Sequence, residues 1–334
     1  MCNTLIHVIS SVVLQLLASG GLRAVPFGSE ALRTDDGQEL WIARGSRRPT
    51  PSDVEAELRR LEDRPGRVLV TTTAASSGLA KLATAQPRLV VVETLPGAVW
   101  VDGVRRQAEP LDPGAETAPR RPRGPRPYSA LAIARLLLAS PLPRTQTAIS
   151  ASLGVSQAAV SLAFRRLGSL VIHERGGWVA ADPGALFDWA VDEYPGAGGI
   201  ATYWWSDRPL TVQADDASLG TRSLISGDLA ADHWNGWRVS EHAVVYAAHG
   251  LDPAKYGFAA ASPDDYTIEI TVPSDPTLWT TAHAFRAGDP VFADPVVASF
   301  DVLRTGSTGD QADAVARLRE WTLQNLARQR RSNG

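Results

Sequence analysis

Gln157, Ala158, Ser161 and Arg165 lie one, three and four residues apart within Thr145–Leu167, TQTAISASLGVSQAAVSLAFRRL. If this stretch is helical, that spacing keeps them on one side of it. Together they offer an amide, a methyl, a hydroxyl and a guanidinium. These are the groups that read base edges in a major groove. Gln pairs bidentately with adenine, a small apolar side chain meets the thymine methyl, Ser donates or accepts, and Arg reaches guanine or a phosphate.

The neighbouring residues supply the means of holding such a helix out. In the first half of the segment Ile149 and Leu153 are four apart, which predicts a short amphipathic helix. Gly154 follows it and suits a left-handed turn. Ser156 is a good N-cap for a second helix, and Val155 and Val160 have the spacing of a hydrophobic staple. Val160, Ala163, Phe164 and Leu167 then form the face to be buried. Two short helices joined through a glycine turn predict a helix-turn-helix. Tyr128–Ala139, YSALAIARLLLA, predicts an apolar helix packed behind the pair. After Leu167, SLVIHERGGWVA gives two β-rich runs flanking Gly176–Gly177, which predicts a hairpin, the wing of a winged helix.

Charge patterning agrees. Net charge over the 334 residues is −3, but residues 120–180 carry nine arginines against Glu174 alone, net +8. Residues 1–119 are close to neutral, and residues 181–334 carry 21 acidic and 11 basic side chains, net −10. A cationic island in an acidic chain is the footprint of an anion-binding module. Phosphate contacts are therefore expected from Arg120, Arg121, Arg123, Arg126, Arg144, Thr145, Arg166, His173 and Arg175. Base contacts are expected from Gln157, Ala158, Ser161 and Arg165. A winged helix used for protein docking is the bland alternative.

The chain divides into four parts. Residues 1–105 read as a small α/β module with strands at Glu39–Arg44, Arg67–Thr73, Leu89–Glu93 and Ala98–Val101, and helices at Ile6–Ala18, Ser52–Asp63 and Ser76–Ala85. Residues 106–127 hold six prolines and read as a linker, either a solvated spacer or a basic arm. Residues 128–182 are the helix-turn-helix unit. Residues 183–334 read as an α+β domain with a helix at Ala185–Tyr194, strands at Ser223–Ile225, Ala243–Ala247 and Tyr266–Val272, and a closing helix at Gln311–Gln329. The fold class expected is multidomain α+β. No run of about 18 apolar residues exists. Leu5–Ser19 lacks the basic start of a signal peptide and is expected to be an amphipathic helix of a cytoplasmic protein.

The segment Thr145–Leu167 resembles the winged helix-turn-helix domains of bacterial transcription regulators. YWWSDRPL (Tyr203–Leu210), SLISGDLAADHWNGWRV (Ser223–Val239), YTIEITVPSDPTLW (Tyr266–Trp279) and FADPVVASFDVLRTGSTGDQADAVARLREW (Phe292–Trp321) resemble, in order and wording, the C-terminal part of the AbiEi family of type IV antitoxins. That resemblance implies an autorepressing DNA-binding antitoxin that neutralises a nucleotidyltransferase-type toxin. The long N-terminal region departs from that family's compact two-domain form.

Enzymatic chemistry finds little support. Residues 1–105 loosely resemble a restriction-endonuclease-like core. Such a core needs clustered acids and a lysine, yet neither Lys81 nor Lys255 has an acid two residues before it, and Leu95 stands where Glu93 would need a lysine partner. An inactive version is expected, with an active nuclease as the third choice of function. Ser226–Gly227–Asp228 with Glu269 could suggest a nucleotidyl-transfer site, but Glu269 has no second acid two residues away. Asp228 is expected to cap a helix starting near Leu229. The six histidines form no metal-binding spacing, and Cys2 is the single cysteine, so neither a metal nor a cofactor is expected. Trp204, Trp205, Trp234 and Trp237 are expected in the core. The function expected is sequence-specific repression from duplex DNA, as a dimer on a palindrome. The alternative is a protein-interaction module that neutralises a toxin without a major DNA role.

Overall fold

The apolar run Leu89–Val92 has no polar alternation, so it must be covered on both faces. In the computed structural model, which describes residues 11–44, 48–108, 128–236, 240–285, 291–306 and 309–332, it is. Among these residues the chain is a mixed α+β protein of twelve α-helices with sheets of seven, five and two strands. No single helix is long and apolar enough to cross a membrane.

The seven-stranded sheet runs in sequence order: β1 (Ala24–Pro26), β2 (Ala31–Thr34), β3 (Glu39–Ile42), β4 (Arg67–Thr72), β5 (Leu89–Glu93), β6 (Ala98–Val101) and β7 (Val104–Gln107). Only β3, β4 and β5 are mutually parallel, joined through α2 (Pro51–Arg60) and α3 (Ser77–Ala85). Alternate residues serve opposite faces. Val68, Val70, Leu89 and Val91 share a core with Val54 of α2 and Leu79 of α3. Leu69, Val90 and Val92 share the other with Leu16 and Leu17 of α1 (Ser11–Ser19). The expected linker starts too early: Arg106 and Gln107 complete β7, and the Arg106 guanidinium donates to the Gly20 carbonyl at 3.0 Å.

The middle segment forms α4 (Tyr128–Ala139), α5 (Gln146–Leu153), α6 (Gln157–Leu167) and a hairpin of β8 (Val171–Glu174) and β9 (Gly177–Ala180). After it come α7 (Pro183–Glu193), β10 (Ile200–Trp205), α8 (Leu210–Ser218), β11 (Ser223–Ser226), α9 (Gly227–Asn235), β12 (Ala243–Ala247), β13 (Ala259–Ala260), β14 (Ile268–Val272), α10 (Leu278–Phe285), α11 (Pro295–Thr305) and α12 (Gln311–Ser332). The five-stranded sheet has the order β11-β12-β14-β10-β13, with β12 and β14 parallel.

The middle segment shares its core with the C-terminal helices. Ile133 and Leu137 of α4, Ile149 of α5 and Val160 and Phe164 of α6 belong to one apolar cluster with Leu186, Phe187, Trp234, Val296 and Leu318. Helix α4 is buried on every side from Ala130 to Ala139. Its Arg135 is fully buried and bonds to Asp275 at 3.0 Å, Asp294 at 3.3 Å and the Thr277 hydroxyl at 2.8 Å. Burial alone disfavours this charge, but Asp294 and Asp275 outweigh it and hold the guanidinium pKa above its ordinary value. This member of the cationic island is thus neutralised internally.

Three further expectations change. Asp228 does not cap α9. Its carboxylate is buried and accepts the backbone N–H of Glu241 at 3.1 Å, while Ser226 occupies the cap position. Trp234 is buried as expected, but Trp205 is 47% exposed at the end of β10; Trp237 lies outside the described residues. The two-residue hairpin loop is Arg175–Gly176, with Gly177 already in β9 opposite Glu174.

Candidate nucleic-acid interface

The turn between α5 and α6 is built from short polar side chains closing on backbone. Thr145 caps α5 by accepting from the Ala148 N–H at 3.1 Å, and Ser156 caps α6 by accepting from the Ala159 N–H at 3.2 Å. Gly154 between them sits at φ +64°, the left-handed region that a side chain would strain. The Ser150 hydroxyl donates across the turn to the Val155 carbonyl at 2.6 Å. The chain bends by 110° between the two helices.

Helix α6 buries Val160, Ala163, Phe164 and Leu167, the four residues expected. At 100° per residue the opposite direction falls on Ala158, Leu162 and Arg165, all exposed. Gln157 and Ser161 lie toward the flank that faces α5. Gln157 is exposed, with its amide 3.4 Å from the Thr147 hydroxyl; Ser161 is half-buried, its hydroxyl 3.3 Å from Gln146 Oε1. Among the described residues, no other element covers this flank or the outward face closely enough to bury them.

The hairpin is fastened to α6 by a ring that the sequence reading missed. Trp178 stacks on Phe164 with ring centroids 4.1 Å apart, and His173 meets the same indole edge-on at 5.3 Å. Trp178 also exchanges backbone hydrogen bonds with Arg144, at 3.0 and 2.8 Å, which ties the start of α5 to β9. Between the start of α5 and the hairpin lies an open cleft of about 390 Å³, lined by Thr145, Gln146, His173, Gly176, Gly177 and Trp178.

Gly177 makes that junction possible. Its φ is +145°, and a Cβ there would stand 2.4 Å from the carbonyl carbon and oxygen of Arg144. Gly177→Ala is therefore expected to destabilise the protein by about 1–3 kcal/mol and to loosen the hairpin first. Faster amide exchange at Val179 than at Leu69 of the N-terminal sheet would register this. An unchanged exchange pattern would contradict it.

The sequence-predicted cations divide. Arg165 and Arg175 are exposed, as is His173. Arg166 is committed to Glu193 of α7 at 2.7 Å, with both side chains nearly half exposed. Arg144 is half-buried, with its Nε enclosed and lacking a hydrogen-bond partner. Arg120, Arg121, Arg123 and Arg126 lie outside the described residues.

Glu93 and Glu269, considered above for catalysis, are both held by arginines. Glu93 accepts from the Arg105 guanidinium at 2.7 and 3.1 Å, the Trp100 indole at 3.3 Å and the Ala75 N–H at 3.2 Å. Glu269 and Asp301 are bridged by Arg304, and Asp301 also accepts from the hydroxyls of Ser226 and Tyr246 at 2.6 and 2.7 Å. Burial raises the Asp301 pKa above the ordinary carboxylate value, against the opposing pull of Arg304. Among the described residues no three of His, Cys, Asp and Glu gather as a metal-binding set. No family model, no curated protein and no solved structure matches this chain.

Proposed function

We propose that this protein is a sequence-specific DNA-binding transcription regulator, in which α4–α6 and the β8–β9 hairpin act as a winged helix-turn-helix. One observation carries the reading. Helix α6 buries one side in the core and turns Ala158 and Arg165 outward, with Gln157 beside them. A helix of this width fits a major groove, and its N-terminal residues reach base edges. Arg165 reaches guanine or a phosphate, and phosphates are met by Arg175, His173, Arg120, Arg121, Arg123 and Arg126. Each winged helix covers one half-site, so two copies bind a palindrome.

Gel shifts of the full chain over a salt series test this. The parent should discriminate sequences, and its binding should fall steeply with salt. Gln157→Ala and Ser161→Ala should relax base preference. If these two variants, Arg165→Ala and Arg166→Ala all bind as the parent does, the assignment of α6 is wrong.

The antitoxin role rests on the resemblance of Tyr203–Leu210, Ser223–Val239, Tyr266–Trp279 and Phe292–Trp321 to the AbiEi family. In that reading the protein works in the cytoplasm, represses its own promoter and neutralises a nucleotidyltransferase-type toxin. A second reading, a toxin-neutralising module with little DNA role, is favoured by the acidic balance of residues 181–334 and by the exposed Trp205. A neighbouring nucleotidyltransferase-like reading frame whose toxicity the chain suppresses would support both. Suppression surviving Arg165→Ala would separate neutralisation from DNA binding. No catalytic role is proposed, because Glu93, Glu269 and Asp301 are engaged by arginines. Mg²⁺-dependent nicking of plasmid by the purified chain would overturn that point.

A further inference from the structure

Leu162 is 62% exposed, although the residues around it on the outward face of α6 are suited to solvent or to a ligand. It sits four residues after Ala158 and three before Arg165, so the three form one outward row opposite the buried face. Nothing in the fold requires an apolar residue there, since Val160, Ala163, Phe164 and Leu167 already fill the core side. A single exposed leucine is ordinary on a protein surface. This one stands at the centre of the face whose neighbours bear the cation and the small methyl that duplex DNA accepts.

We propose that Leu162 is a specificity-determining residue that packs against the 5-methyl group of thymine in the major groove. The inference rests on the DNA-binding reading and deepens it. The major groove offers one apolar feature among its hydrogen-bonding edges, and that is the thymine methyl. A leucine one helical turn beyond Ala158 would touch a base step adjacent to the one Ala158 touches. Arg165 sets the row against a polyanion, which favours DNA over an apolar protein partner. The hydrogen-bonding residues Gln157 and Ser161 flank the row on the α5 side.

The test begins by selecting binding sites for the full chain from random duplexes. Each thymine of the selected site is then replaced by deoxyuridine, which removes only the methyl. The parent should lose about four-fold in affinity at one or two positions, the effect of one desolvated methyl group. Leu162→Ala should bind thymine and deoxyuridine equally at one of these positions, while any loss owed to Ala158 persists and its thermal midpoint and salt dependence stay those of the parent. If no deoxyuridine position weakens the parent, or if Leu162→Ala keeps the parent's sensitivity at every position, the assignment of Leu162 is overturned and the DNA reading survives. If selection enriches no site and the chain binds no duplex, the DNA reading itself is overturned.

Discussion

Arg135→Ala should lower the stability of the folded chain by about 3–5 kcal/mol, the largest single effect expected. The arginine is fully buried in α4 and serves two carboxylates on separate segments. Each carboxylate has other duties. Asp294 caps α11 by accepting from the N–H groups of Val296 and Val297, and Asp275 accepts from the N–H and hydroxyl of Thr277. Neither can swing out to water when the guanidinium goes. Two unpaired negative charges would remain buried, which costs more than the net worth of the original pairs. Urea unfolding of both proteins at pH 7 reads this. A variant within about 1 kcal/mol of the parent at pH 7 would show that the pairs contribute little.

The second large effect concerns α6. Arg165→Ala should weaken binding to a selected duplex by about 1–3 kcal/mol, and should reduce the salt slope by about one if the contact is to a phosphate. Arg166→Ala should do much less, because Arg166 is spoken for by Glu193. Glu193→Gln should then strengthen binding, since it frees a cation beside the groove at little cost to an exposed pair. Affinities measured at three salt concentrations for the parent and the three variants decide this. Equal losses at Arg165 and Arg166 would mean that the Glu193 pair opens on binding.

The helix pair was legible because its signals are local. Thr145 and Ser156 as caps, Gly154 at the turn and the buried set Val160, Ala163, Phe164 and Leu167 all lie within 23 residues. The central strands β4 and β5 were legible as β-branched runs. Strands β1, β2 and β7 were not, being three or four residues long and set at or next to a sheet edge. Helix α11 is hidden in the apolar patterning, although Asp294–Pro295, a cap followed by proline at the first helical position, announces it. Arg135 counts with the cationic island in the sequence because its partners lie 140 and 159 residues away. Arg166 misleads for a similar reason, with Glu193 reached only through the packing of α7. For Leu162, residue type alone could not separate an outward leucine from a core one in a helix rich in apolar side chains.

The most direct test of the central claim is methylation interference on a selected duplex. Dimethyl sulfate modifies guanine N7, which lies in the major groove where α6 is proposed to sit. The full chain should be excluded from duplexes methylated at guanines within two patches about one helical turn apart, and Arg165→Ala should weaken or remove interference at one guanine in each. Binding that is indifferent to N7 methylation at every guanine, with Arg165→Ala behaving as the parent, would contradict a helix in the major groove.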